Sequence, residues 1–144
     1  MATIRKELHL EARADDVWDA VRDFGSVHER LGPGFLLDAR WDGDARVVTF
    51  FNGMVVREPL VTLDDLERRL VYSATGGMSR HYNAVMEVFP DGDDRCRLVW
   101  TIDLLPNELA PTVDGLAEKA CETMKRTLER SEEHTSELQS HHDL

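Results

Sequence analysis

Glu58 lies in the run MVVREPLVTL, where most neighbours are apolar. A carboxylate turned into an apolar interior without a partner loses its hydration, and desolvation raises its pKa. Such a group suits a general acid or base acting on an enolisable substrate. The chain has two tyrosines, Tyr72 and Tyr82. Each can bury its ring while keeping a hydroxyl available for a hydrogen bond. The candidate catalytic pair is therefore Glu58 with Tyr82. A simpler reading places Glu58 at a bulge beside Pro59, or pairs it with Arg57, Arg68 or Arg69 at the sheet rim, and lets the tyrosines hydrogen-bond locally.

Positioning these groups requires strands. Turn signals recur at Asp42-Gly43, Asn52-Gly53, Gly76-Gly77 and Asp91-Gly92, with a polar stretch at 64–69. Asn-Gly and Asp-Gly supply the positive φ of tight hairpin turns. The intervening runs FLLDARW, ARVVTFF, MVVREPLVTL, RLVYSA, YNAVMEVF and RCRLVWTIDLL read as an antiparallel meander. TIRKELHLEA supplies an earlier strand. Two helical patterns remain. In RADDVWDAVRDFGSVHERLG, Val17, Val21 and Phe24 share a face, Asp15 or Asp16 is available as a cap, and Gly25 splits the stretch into two short helices. In NELAPTVDGLAEKACETMKRTLE, a stripe runs through Leu109, Val113, Leu116, Ala120, Met124 and Leu128. The predicted class is α+β, a seven-stranded curved antiparallel sheet wrapped round a long C-terminal helix. Two short helices follow strand 1. One long helix must cover one sheet face, and a curved sheet gripping it leaves a cavity between them.

Strand periodicity selects the cavity wall. If Asn52-Gly53 forms a two-residue turn, Val47, Thr49, Phe51, Met54, Val56, Glu58 and Leu60 share one face. Arg46, Val48, Phe50, Val55 and Arg57 share the other. The two arginines make the second face the solvent side. The same reading turns Tyr72, Tyr82, Met86 and Trp100 inward. The candidate ligand-binding residues are Phe51, Met54, Glu58, Tyr72, Tyr82, Met86 and Trp100, with Leu116, Ala120 and Met124 from the helix. Their plain alternative is hydrophobic core. His28 could gate the mouth or simply sit in a solvated loop, and His81 falls on the outer face.

The stretches ADDVWDAVRDFGSVHERLGPG, NGMVVREPLVTLDDLERRLVYS and HYNAVMEVFPDGDDRCRLVWTIDLLP, with the closing helix to MKRTLE, resemble the SRPBCC superfamily. These are START-like helix-grip proteins, and the resemblance is to their polyketide cyclase/dehydratase-like branch. It spans about Thr3 to Glu129. It implies a domain that holds lipids, polyketides or other apolar molecules inside the grip. Alternatives within the fold are a cyclase or dehydratase using Glu58 and Tyr82, and a co-chaperone-like interaction module with a closed core. Fold alone does not choose among them.

Composition narrows the partners. The net charge of −11 disfavours nucleic acid and anionic membranes, which require a basic face. No run approaches the length of a membrane helix, and MATIRKELHL lacks a signal-peptide core, so a cytoplasmic location is expected. Cys96 and Cys121 form no CxxC and are expected to be reduced thiols. No HExxH, phosphate loop or GxSxG is present, so neither metal nor cofactor is expected. The expected partner is a small apolar molecule, and oligomeric state leaves no sequence signal.

Residues 130–144 resemble the translation of a short-read sequencing adapter rather than a protein family. RSEEHTSELQS follows it residue for residue, and His141, Asp143 and Leu144 fit the codons that flank its variable index. The expected division is therefore a domain over 1–129 and a non-native tail over 130–144. On that division His134, His141 and His142 are left out of functional argument. The tail is expected to be exposed and mostly unpacked.

Overall fold

The computed structural model describes the backbone of residues 1–142 and the side chains of residues 1–130. The expected behaviour of the tail's side chains lies outside the described residues. The chain runs β1 (Ala2–Leu10), α1 (Ala14–Arg22), a 3-10 turn (Phe24–Ser26) and α2 (Val27–Arg30). There follow β2 (Leu36–Asp42), β3 (Ala45–Phe50), β4 (Val55–Asp64), β5 (Arg69–Ser73), β6 (His81–Pro90) and β7 (Cys96–Leu105). A second 3-10 turn (Asn107–Leu109) leads into α3 (Ala110–His142).

All seven strands form one antiparallel sheet in the order β1-β7-β6-β5-β4-β3-β2. The meander is as the turn signals predict, and β1 returns beside β7. Register shifts at Leu36/Asp38 and Leu60/Thr62 bend the β2 and β4 ends, since an extra residue on one strand increases local twist and curvature. The curved face closes on α3, whose Val113, Ala117, Ala120, Cys121, Met124 and Leu128 are buried. This α+β helix-grip architecture is the one the periodicities predict.

Small and medium side chains on that helix face let it approach β1. Two polar clamps hold it there. Lys6 Nζ reaches Asp114 at 2.9 Å and Glu118 at 2.7 Å. Lys125 Nζ donates to the His9 carbonyl at 2.7 Å, and Glu129 accepts from the Glu11 N–H at 2.8 Å. At α1 the cap expectation is corrected. The helix begins at Ala14 after Arg13, so Asp15 and Asp16 lie inside the first turn. There they favour the positive end of the helix dipole, and Asp15 accepts from Arg68 at 2.7 Å.

The β3–β4 connection corrects a second expectation. Phe50 N–H donates to the Met54 carbonyl at 2.8 Å, so three residues, Phe51, Asn52 and Gly53, make the loop. Gly53 takes φ 88°, the left-handed position that a three-residue hairpin loop needs. Asn52 Oδ1 accepts from the Met54 N–H at 3.1 Å and braces it. The extra loop residue moves β3 by one position relative to a two-residue turn. Arg46 then opposes Glu58 and Val48 opposes Val56. With a side-chain period of two, that single step exchanges the faces of β3. Arg46 and Val48 are buried, whereas Phe51 is 41% exposed.

Candidate functional site

A cavity of about 130 Å³ lies between the sheet and α3. Its walls come from three sources. Val48, Phe50, Met54, Val56, Met86 and Ile102 project from the strands. Val113, Leu116, Ala117, Ala120 and Met124 project from the helix. Val27, Leu31, Phe35, Gly77, Met78 and Ser79 belong to the segments near the rim, where Met78 is half exposed. Alternation on β6 and β7 explains the apolar lining: one face of each strand carries Ala84, Met86 and Val88 or Leu98, Trp100 and Ile102 inward. Phe35 packs edge-on against Phe50 and tilted against Phe51, and Lys119 Nζ sits 4.9 Å from the Phe51 ring. Phe51 therefore braces the cavity from outside rather than lining it. The other candidates, Met54, Glu58, Tyr72, Tyr82, Met86, Trp100, Leu116, Ala120 and Met124, all reach the cavity wall.

The polar groups gather on the sheet side. Arg46 Nε donates to Glu58 Oε1 at 2.6 Å, with the two residues 4% and 7% exposed. Arg46 Nη1 donates to the Phe24 carbonyl at 3.1 Å. Its guanidinium carbon lies 3.9 Å from the Phe24 ring centroid and 4.8 Å from that of Tyr72. The cation is thus stacked against two aromatic rings while it neutralises the carboxylate, an arrangement suited to a weakly hydrated planar guanidinium. Glu58 is not the unpartnered carboxylate considered from sequence. Nor is its partner Arg57, Arg68 or Arg69: Arg57 pairs with Asp44, and Arg68 with Asp15.

Tyr72 and Tyr82 stand beside this pair with ring centroids 6.4 Å apart. Burial pushes the Tyr72 phenol well above its ordinary range, and the nearby Glu58 charge adds to the effect while Arg46 opposes it. Burial raises Tyr82 as well, followed by the proximity of Tyr72 and Glu58. Both are neutral hydroxyls at physiological pH, able to donate a hydrogen bond. Trp100 Nε1 is buried and has no hydrogen-bond partner among the described residues. His28 lies on α2, off the cavity wall, with its side chain 19% exposed and Nε2 3.5 Å from Glu29. His81 is exposed, on the outer face.

Arg46 is the site residue that strand alternation missed. The signal that identifies it is chemical rather than periodic: an inward Glu58 requires a cation, and a three-residue loop puts one directly opposite.

Fold and cavity together define a START-like helix-grip domain, the architecture of ligand-binding SRPBCC proteins. The family profile described as polyketide cyclase/dehydrase and lipid transport matches residues 1–134, and the chain belongs to that family. No curated protein matches it significantly. Among solved structures, a protein from Thermobifida fusca is 30% identical, with a TM-score of 0.70 over 84% of this chain and 85% of its own. A START superfamily protein from Mycobacterium smegmatis aligns with a TM-score of 0.67 and 18% identity, covering 92% of this chain and 98% of its own. Norcoclaurine synthase from Thalictrum flavum, in complex with dopamine and hydroxybenzaldehyde, aligns with a TM-score of 0.61 and 20% identity over 83% of each chain. No helix among the described residues is long and apolar enough to cross a membrane.

Proposed function

We propose that this protein binds a small apolar molecule in the cavity between its sheet and α3. The observation that carries this reading is the cavity itself. Its wall is almost wholly apolar and its few polar groups are gathered on one side, as small-molecule sites require. Norcoclaurine synthase, of the same fold, holds two single-ring aromatics, dopamine and hydroxybenzaldehyde, in its complex. That supports a use of this kind for the grip. An open cavity gives no support to the closed-core interaction module.

The test is native mass spectrometry of the purified full chain for co-purified ligand, followed by titration with a panel of apolar probes. Ala120 faces the cavity from α3, and Ala120→Phe would fill part of it. The variant is expected to weaken probe binding by tenfold or more, with a stability change of about 1–3 kcal/mol from overpacking. No ligand and no probe binding would sink the reading.

The enzyme alternative keeps one supporting observation: Tyr82, a neutral phenol, shares the cavity with Glu58. It predicts faster exchange of the α-hydrogens of a bound ketone for deuterium, followed by NMR, with loss of the acceleration in Tyr82→Phe. Equal exchange with and without protein would remove it.

A further inference from the structure

We infer that the open edge of β2 is an interaction surface for a second copy of this chain. Two β2 strands pair antiparallel about a two-fold axis at Ala39, joining the sheets of two protomers into one.

The backbone supplies the first argument. β1 and β2 are the edge strands of the sheet. β1 has α3 beside it, with Lys125 on the His9 carbonyl. On β3, the Phe50 N–H donates to the Met54 carbonyl, so Phe50, Val48 and Arg46 direct their backbone groups at β4. By alternation Val47 and Ala45 direct theirs at β2, where they meet Arg40 and Asp42. Ala39 and Trp41 are left to direct their N–H and C=O groups at the open edge, and no loop backbone among the described residues takes them up. Such a row of unpaired groups is a template for another strand.

Charge selects a second copy as the strand that fits. An axis at Ala39 sets Asp38 opposite the partner's Arg40, and Arg40 opposite the partner's Asp38. Ala39 meets its own copy through backbone hydrogen bonds, so the charged residues fall at the pairs without them, where side chains stand closest. Asp38 and Arg40 are both exposed and hold no ion pair among the described residues, whereas Asp42 lies 3.6 Å from Arg57. The strand is therefore complementary to itself. An edge guarded by Lys alone would repel its own copy, and this one attracts it.

Apolar surface follows the same symmetry. Leu37 and Trp41 flank Ala39 at equal distance along the chain and are 60% and 53% exposed. The axis at Ala39 brings Leu37 beside the partner's Trp41. The Trp41 ring already rests edge-on against buried Phe24, with centroids 6.0 Å apart, so its exposed side is held in place. The register shift at Leu36/Asp38 interrupts regular pairing at that end. The interface is consequently short and the dimer reversible.

The experiment is analytical ultracentrifugation of the full chain at concentrations up to about 1 mM, which detects contacts as weak as a millimolar Kd. A monomer–dimer equilibrium is expected. Arg40→Asp sets acid opposite acid, and Asp38→Arg sets base opposite base. Each alone should weaken the dimer about tenfold or more, with folding checked by thermal melting. An equal mixture of the two variants puts every acid opposite a base again, and the two chains should associate with one another about as tightly as the native chain does with itself. A native chain that stays monomeric throughout would overturn the inference, even if a strand of another protein binds the edge. A dimer that neither single substitution weakens would place the interface elsewhere and overturn it too. Weakening by both variants without recovery in the mixture would overturn the two-fold pairing at Ala39.

Discussion

At the scale of single residues, Arg46–Glu58 is the one ion pair among the described residues with both side chains buried. Both partners are buried, and removing one strands the other's charge away from water. Arg46→Met or Glu58→Gln is expected to lower unfolding free energy by about 3–5 kcal/mol in urea titrations. The joint replacement Arg46→Met with Glu58→Leu should cost much less, because no charge is then left unpaired. If the double variant is no better than the singles, the pair stabilises through aromatic stacking rather than charge compensation. The buried acids give a second test. Burial raises the Cys96 and Cys121 thiols from an ordinary 9.0 to about 11, and it raises both phenols. When the folded pKa exceeds the unfolded one, stability is complete below the unfolded value and declines as pH rises through the folded one. The melting temperature should therefore fall as pH rises from about 9 to about 11, the thiols entering this window first. Replacing both cysteines by Ala should flatten the early part of that fall. A profile unchanged by the replacement would remove the thiols as its cause.

Among the elements, the β3–β4 loop decides which face of β3 lines the cavity. Strand alternation assigned β4, β5, β6 and β7 to the faces they occupy, because each carries a clear apolar row with period two. It failed on β3, whose two faces are both partly apolar: Val47 against Val48, and Phe51 against Phe50. With no contrast across the strand, its facing depends on loop length alone. Asn-Gly is compatible with a two-residue or a three-residue connection. The left-handed φ of Gly53 is the feature that the longer loop depends on. Gly53→Ala should thus cost about 1 kcal/mol, measured by denaturant unfolding, although no atom stands within 4 Å of the added Cβ. No loss would mean that the loop tolerates another backbone shape, and with it another β3 register.

The whole molecule is a curved sheet closed by one helix, and its cavity belongs to no single element. Leu128 is the last buried residue of α3 among the described side chains. We further propose that the domain's packing ends there and that residues 130–144 are translated adapter. A chain ended after Glu129 should then melt within about 3 °C of the full chain, since surface changes away from packed features shift stability by no more than ~0.5 kcal/mol. It should also keep the same probe affinities. A larger fall in melting temperature would mean that the tail packs on the domain.

The chain by itself determined the succession of strands and helices, the gripping helix and part of the cavity wall, including Met54, Glu58, Tyr72, Tyr82 and Met86. These follow from local periodicities of two and 3.6, which every window of sequence carries. It also singled out Glu58, Tyr72 and Tyr82 as the polar groups of that wall. Tertiary structure alone decided that Arg46 turns inward to hold Glu58, that Phe51 turns outward, and that about 130 Å³ remains unfilled. The physical reason is that a loop's length and a cavity's volume are set by how distant surfaces meet. A single residue in the loop, or a few ångströms between sheet and helix, changes the site without altering any local pattern.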